Sequence, residues 1–114
     1  MNDEFDISIT LPATVKVSDR PTQLEVFQKD GVLKIQQLYI NEPSLESALE
    51  KFLSEVSLGM ETKELAGAAL EAAVYYSTNR SAYFKVSLSA SILTKVSETG
   101  LKLEIIGYPC SNTE

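Results

Sequence analysis

The chain has 114 residues, 44% apolar and 23% charged, which fits one globular domain able to bury a core without disulfides or metal. Ten basic residues against 16 acidic ones leave a net charge of −6, a balance that repels nucleic acid and anionic membranes and suits a basic protein partner. There is no histidine and one cysteine, Cys110, so the commonest general base, the usual catalytic triads and a structural zinc site are excluded.

The pattern shows no sign of export or membrane insertion. Met1-Asn2-Asp3-Glu4 is acidic and has no apolar signal region behind it. No run approaches the roughly 18 apolar residues of a membrane span. One cysteine cannot form an internal disulfide, as is usual in a reducing compartment. The expected location is therefore cytoplasmic, and Asn79-Arg80-Ser81 matches a glycosylation sequon only by chance.

In chain order, Phe5, Ile7, Ile9 and Leu11 alternate with Asp6, Ser8 and Thr10, the period of a one-sided strand. Pro12 interrupts it. Val15 and Val17 continue as extended chain before Ser18-Asp19-Arg20-Pro21 turns. Gln23 to Gln28 is extended, Asp30-Gly31 is a hairpin turn, and Val32 to Ile40 returns. Leu45, Ala48, Leu49, Phe52, Leu53 and Val56 recur at helical spacing. Pro43 suits the first turn of that helix. Glu46, Glu50, Lys51 and Glu55 fall on its wet face.

Met60 to Ser77 carries two signals. Ala66-Gly67-Ala68-Ala69-Leu70-Glu71-Ala72-Ala73 favours helix by propensity, whereas Val74-Tyr75-Tyr76 favours strand. The expectation is a short helix near 61–68 and a strand near 70–77. The competing reading is one helix to about Ala73. Thr78 to Ser81 is a polar turn.

Tyr83 to Leu88 alternates and reads as a strand. Ser89 suits a helix N-cap, Leu88 and Leu93 a hydrophobic staple, and Ile92, Leu93 and Val96 an apolar stripe. Gly100 ends the helix. Leu101, Leu103 and Ile105 then alternate with Lys102 and Glu104, and Pro109 ends that strand. The sum is an α+β domain over residues 1–114. It has a single mostly antiparallel twisted sheet with two or three helices packed on one face.

The helix Ser44 to Leu53, the run Leu70 to Tyr76, and the closing Leu88 to Leu93 with Thr99 to Ile105 and Tyr108 resemble the bacterial domain of unknown function 4279 family, over about residues 33–109. The front differs, with no helix after the first strand and no tryptophan where the family often places one. The resemblance implies a small intracellular α+β domain and brings no catalytic residues. Comparable small domains occur among bacterial toxin-immunity proteins, so an immunity-like role is an expectation by analogy.

Little else suggests catalysis. The five glycines stand singly and form no phosphate loop. Asp6, Glu46, Glu50, Glu55 and Glu104 fall on polar phases and read as solvated faces rather than an acid–base pair. Asp3, Glu4 and Asp6 lack the spacing of a calcium loop. Cys110 without a nearby base reads as a plain thiol. No cofactor or metal is implied.

Tyrosine is the suggestive residue. Tyr75, Tyr76 and Tyr83 fall on two predicted neighbouring strands. Tyr75 and Tyr83 take the non-core phase, with Arg80 and Lys85 close by. Exposed tyrosine with arginine is enriched at interface hot spots, and ordinary cross-strand pairing is the plainer account. The expected function is a non-enzymatic interaction domain, immunity-like, that binds a basic protein partner through an acidic surface. Tyr75, Arg80, Tyr83 and Lys85 are its candidate contacts. The alternatives are a structural homo-oligomer pairing through its sheet and a small-molecule-binding domain.

Overall fold

Strand β1 (Glu4–Pro12) occupies the centre of the sheet because its alternate side chains, Phe5, Ile7, Ile9 and Leu11, are all buried. The computed structural model describes residues 4–12, 24–59, 65–77 and 85–110. β2 (Glu25–Lys29) and β3 (Val32–Tyr39) form a hairpin, and β3 and β4 (Ala69–Ser77) flank β1 in antiparallel register. β5 (Lys102–Cys110) closes the other edge, parallel to β4. The strand order is β2-β3-β1-β4-β5, a single mixed sheet.

The register aligns the core. Ile9 lies between Ile35 and Leu70, Ile7 between Gln37 and Ala72, and Phe5 between Tyr39 and Val74. At the hairpin, Asp30 (φ 54°) and Gly31 (φ 75°) both take left-handed conformations, the geometry that matches a two-residue turn to the strand twist.

Two helices pack on the apolar face and on each other. α1 (Leu45–Gly59) buries the whole predicted stripe, from Leu45 through Phe52 to Val56. Its cap is Ser44, whose Oγ accepts the Ser47 N–H at 3.2 Å. Pro43 therefore lies just before the cap and not in the first turn. α2 (Ala90–Thr99) begins at the expected cap, with Ser89 Oγ accepting the Ile92 N–H, and ends at Gly100 in the left-handed region (φ 75°). Ile92 and Val96 join the core, but Leu93 is nearly half exposed and leaves the stripe. Two exposed polar contacts also link α2 to α1. The Ser89 N–H donates to Glu46 Oε1 at 2.5 Å, and Lys95 Nζ donates to Glu50 Oε1 at 3.0 Å.

The ambiguous segment resolves as a strand. Leu70, Ala72 and Val74 are buried opposite β1, and that period-two burial overrides the helix propensity of alanine. Of the short helix near 61–68, the described part is Leu65, which is helical, followed by a turn at Ala66-Gly67.

The predicted strand Tyr83 to Leu88 is not present in its described part. Lys85 to Ser89 forms no ladder, because β5 occupies the edge beside β4. Val86 and Leu88 still pack against the core, so the alternation marks one-sided burial of a connection. Pro109 does not end β5, which continues to Cys110. The expectations for Val15, Val17, the turns at 18–21 and 78–81, and residues 61–64, 83 and 84 lie outside the described residues.

Candidate interaction surface

The helices cover one face of the sheet, and among the described residues no element packs on the other, open face, although the small side chains of Ser8 and Ala73 are buried there between their neighbours. Alternation sends Leu38, Asp6, Ala73 and Ile106 to that open face in one row across β3, β1, β4 and β5. The next row towards its upper edge is Glu4, Tyr75 and Tyr108. A half-solvated sheet face is expected to be polar. Here Ile106 is 36% exposed, Tyr108 42%, Leu38 47% and, further along, Phe27 48%. Ile106 and Tyr108 are neighbours on β5, whereas Asp6 and Ala73 separate Leu38 from them and Phe27 lies three rows from Tyr108, so the apolar patch is the β5 pair, and contiguous exposed apolar surface marks interaction sites.

The patch has an aromatic anchor. Tyr75 and Tyr108 stand directly opposite each other on β4 and β5. Their rings stack with centroids 5.1 Å apart and planes 16° apart. The Tyr75 hydroxyl is pushed above the usual tyrosine range by burial first, then by the charges of Asp6 and its neighbours. It is a neutral donor and not a base.

Carboxylates rim the patch. Gln36 Nε2 donates to both oxygens of Asp6, at 2.9 and 3.0 Å, which fixes that carboxylate on the open face. In a third row Glu71 faces Glu104 across the β4–β5 pair. Like charges directly opposite each other destabilise a sheet, and neither glutamate has a cation partner among the described residues.

Of the four sequence-derived contacts, Tyr75 lies on this surface. Lys85 is exposed but lies in the connection before α2. Arg80 and Tyr83 lie outside the described residues. The stacking partner of Tyr75 is Tyr108 on β5, with Ile106 in the next row. A signal for them was present, since Lys102, Glu104, Ile106 and Tyr108 share one phase of the final alternation and its last two members are apolar.

On the helix side a groove of about 440 Å³ runs between β3 and α1, lined by Tyr39, Gln37, Glu50, Lys51 and Glu55 among others. The Tyr39 hydroxyl is pushed up to about 12, by burial first and then by Glu55 and Glu42, so it too stays protonated. Beside the groove, buried Glu42 accepts Ser47 Oγ at 2.6 Å and Lys51 Nζ at 2.5 Å. Those two bonds hold its carboxyl below the usual range. Of the groove lining, Ser47 and Lys51 are paired with Glu42, and Glu50 with Lys95. No group of three or more histidine, cysteine, aspartate or glutamate residues gathers as a metal site among the described residues. No described helix is long and apolar enough to cross a membrane.

Compared with known proteins, the chain matches no family model, no curated protein and no solved structure.

Proposed function

We propose that this chain is a non-enzymatic protein-interaction domain that binds a basic protein partner through the open face of its sheet, in the manner of an immunity protein. The observation that carries this reading is the Tyr75–Tyr108 stack with exposed Ile106 beside it, rimmed by Glu4, Asp6, Glu71 and Glu104. Aromatic and aliphatic anchors inside a charged rim are the usual anatomy of an interface. A net charge of −6 adds long-range attraction for a basic partner.

The test is capture from a bacterial lysate on the immobilised chain, followed by titration with the purified captured protein. Reversing the face with Ile106→Lys or Tyr108→Lys should abolish that binding, while Leu93→Ser on the exposed side of α2 should leave it intact. The affinity should also fall as salt rises. A captured protein whose affinity ignores both face substitutions would remove the open face as the binding surface.

A further inference from the structure

The backbone edge of β5 holds recognition chemistry that the sheet itself does not use. The Lys102 N–H donates to Ala68 O at 2.8 Å, and Lys102 registers with Ala69. Within a strand the N–H and C=O of one residue point to the same side, and the side alternates along the chain. Lys102, Glu104, Ile106, Tyr108 and Cys110 therefore turn their backbones towards β4. Leu103, Ile105, Gly107 and Pro109 turn theirs outward. Pro109 falls in the outward set, so its missing N–H costs no ladder bond. It also bounds the edge, leaving the N–H groups of Leu103, Ile105 and Gly107 facing away from the sheet. In the strand order β5 is terminal.

The side chains next to this edge on the open face are Lys102, Glu104, Ile106 and Tyr108. Glu104 faces Glu71 with no cation between them, and Ile106 and Tyr108 are exposed. A row of backbone donors beside one acidic position, Glu104, and two neighbouring exposed ones, Ile106 and Tyr108, suits strand addition. There main-chain bonds supply affinity and alternate side chains supply selectivity.

We infer that the free edge of β5 accepts an extended basic segment of a partner protein as an additional strand. A lysine or arginine of that segment settles over the Glu71–Glu104 pair, and an apolar or aromatic residue lies against Ile106 and Tyr108. This rests on the open-face reading and specifies how the partner docks.

The test uses the full chain, labelled for backbone amide exchange, and two blocked heptapeptides: one has lysine second, valine fourth and sixth and threonine elsewhere, so that lysine and both valines share one face of an extended strand, and the other has glutamate in place of that lysine. In the free protein Leu103, Ile105 and Gly107 should exchange at least about ten-fold faster than Glu104, Ile106 and Tyr108, because edge amides open without unfolding. The lysine peptide should slow those three amides by about ten-fold or more, and the glutamate peptide should not. Glu104→Lys should weaken the effect of the lysine peptide.

Shifts at Tyr75, Ile106 and Tyr108 without slowing would overturn strand addition and leave face binding standing. Slow exchange in the free protein that grows with its concentration would assign the edge to a second copy and overturn the proposal. No response to the lysine peptide at millimolar concentration would overturn it as well. In that case the capture experiment with the face variants judges the open-face reading by itself.

Discussion

Tyr75 and Tyr108 stack across the one parallel strand pair of the described sheet, with ring centroids 5.1 Å apart. The contact joins the last strand to the strand that precedes the crossover, so it reports whether β5 is docked. Such a pair contributes about 0.5–1.5 kcal/mol beyond its burial.

Tyr108→Ala should therefore destabilise the domain by about 1–2 kcal/mol, while Tyr108→Phe should be nearly neutral, since the ring is what stacks. The chain has no tryptophan, so the near-ultraviolet circular dichroism of tyrosine is a direct readout. Its signal should shrink in Tyr108→Ala and persist in Tyr108→Phe, with the midpoints of urea unfolding following the same order.

Gly100 is the second point where the crossover is pinned. It ends α2 with φ 75°, and its carbonyl accepts the Gly67 N–H at 2.9 Å. A Cβ there would lie 3.1 Å from Ala66 Cα and 3.2 Å from Ala66 Cβ. Gly100→Ala thus combines left-handed strain with crowding, and should cost about 1–3 kcal/mol. Gly31 has the same φ but open space around it, and Gly31→Asn should cost well under about 1 kcal/mol because asparagine tolerates that turn. Equal losses at the two sites, measured by urea unfolding, would contradict the crowding at Ala66.

The parts of this fold that were legible in the sequence are those whose physics is local. The β1 alternation, the Asp30-Gly31 turn, the α1 stripe, the Ser89 cap and the Gly100 stop each depend on a few neighbouring residues. What the sequence could not convey was pairing. The alternation Tyr83 to Leu88 looks the same whether the segment is a ladder strand or a connection with Val86 and Leu88 tucked inward. The difference is decided by β5, which takes the edge beside β4. Leu93 has the correct helical phase for the stripe, but α2 buries the side holding Ile92 and Val96 and leaves Leu93 nearly half exposed. The candidate surface was half legible. Tyr75 was on the non-core phase as read, but its neighbour Tyr108 is 33 residues later and meets it only through the parallel register.

That rotation of α2 gives a direct contrast. Ile92→Ala removes a buried side chain and should cost about 2–4 kcal/mol, whereas Leu93→Ala should cost less than about 1 kcal/mol. Thermal or urea unfolding of the two variants decides it, and a loss at Leu93 matching that at Ile92 would return Leu93 to the buried stripe.

Glu42 makes part of the stability acid-sensitive. Its carboxyl is buried and accepts Lys51 and Ser47, and these bonds hold its pKa below the ordinary value of 4.5. A depressed folded-state pKa means that the unfolded chain takes up the proton first as pH falls. The contribution is therefore complete above the unfolded value and is lost as pH drops through the folded one. Glu42→Gln should cost about 1–2 kcal/mol at neutral pH, tempered by the exposure of Lys51. The deficit relative to the parent chain should shrink steadily below pH 4.5. A deficit that stays constant down to the acid transition would mean that the ion pair contributes nothing.

Tyr39 contributes on the alkaline side with the opposite sign. Its hydroxyl is pushed from 10.0 to about 12 by burial and then by the charges of Glu55 and Glu42. The unfolded chain releases that proton near pH 10 while the folded chain keeps it, so the unfolded state binds fewer protons and stability falls as pH rises from about 10 to about 12. Tyr39→Phe removes the ionisable group and keeps the ring against the core. The urea midpoint of the parent chain should therefore decline more steeply than that of Tyr39→Phe across this window, and the two curves should run parallel below pH 9. Glu55→Gln should reduce the steepness in part, because it removes one of the charges that oppose the phenolate. Parallel curves throughout would place the Tyr39 hydroxyl in ordinary contact with water and leave burial without effect on its ionisation.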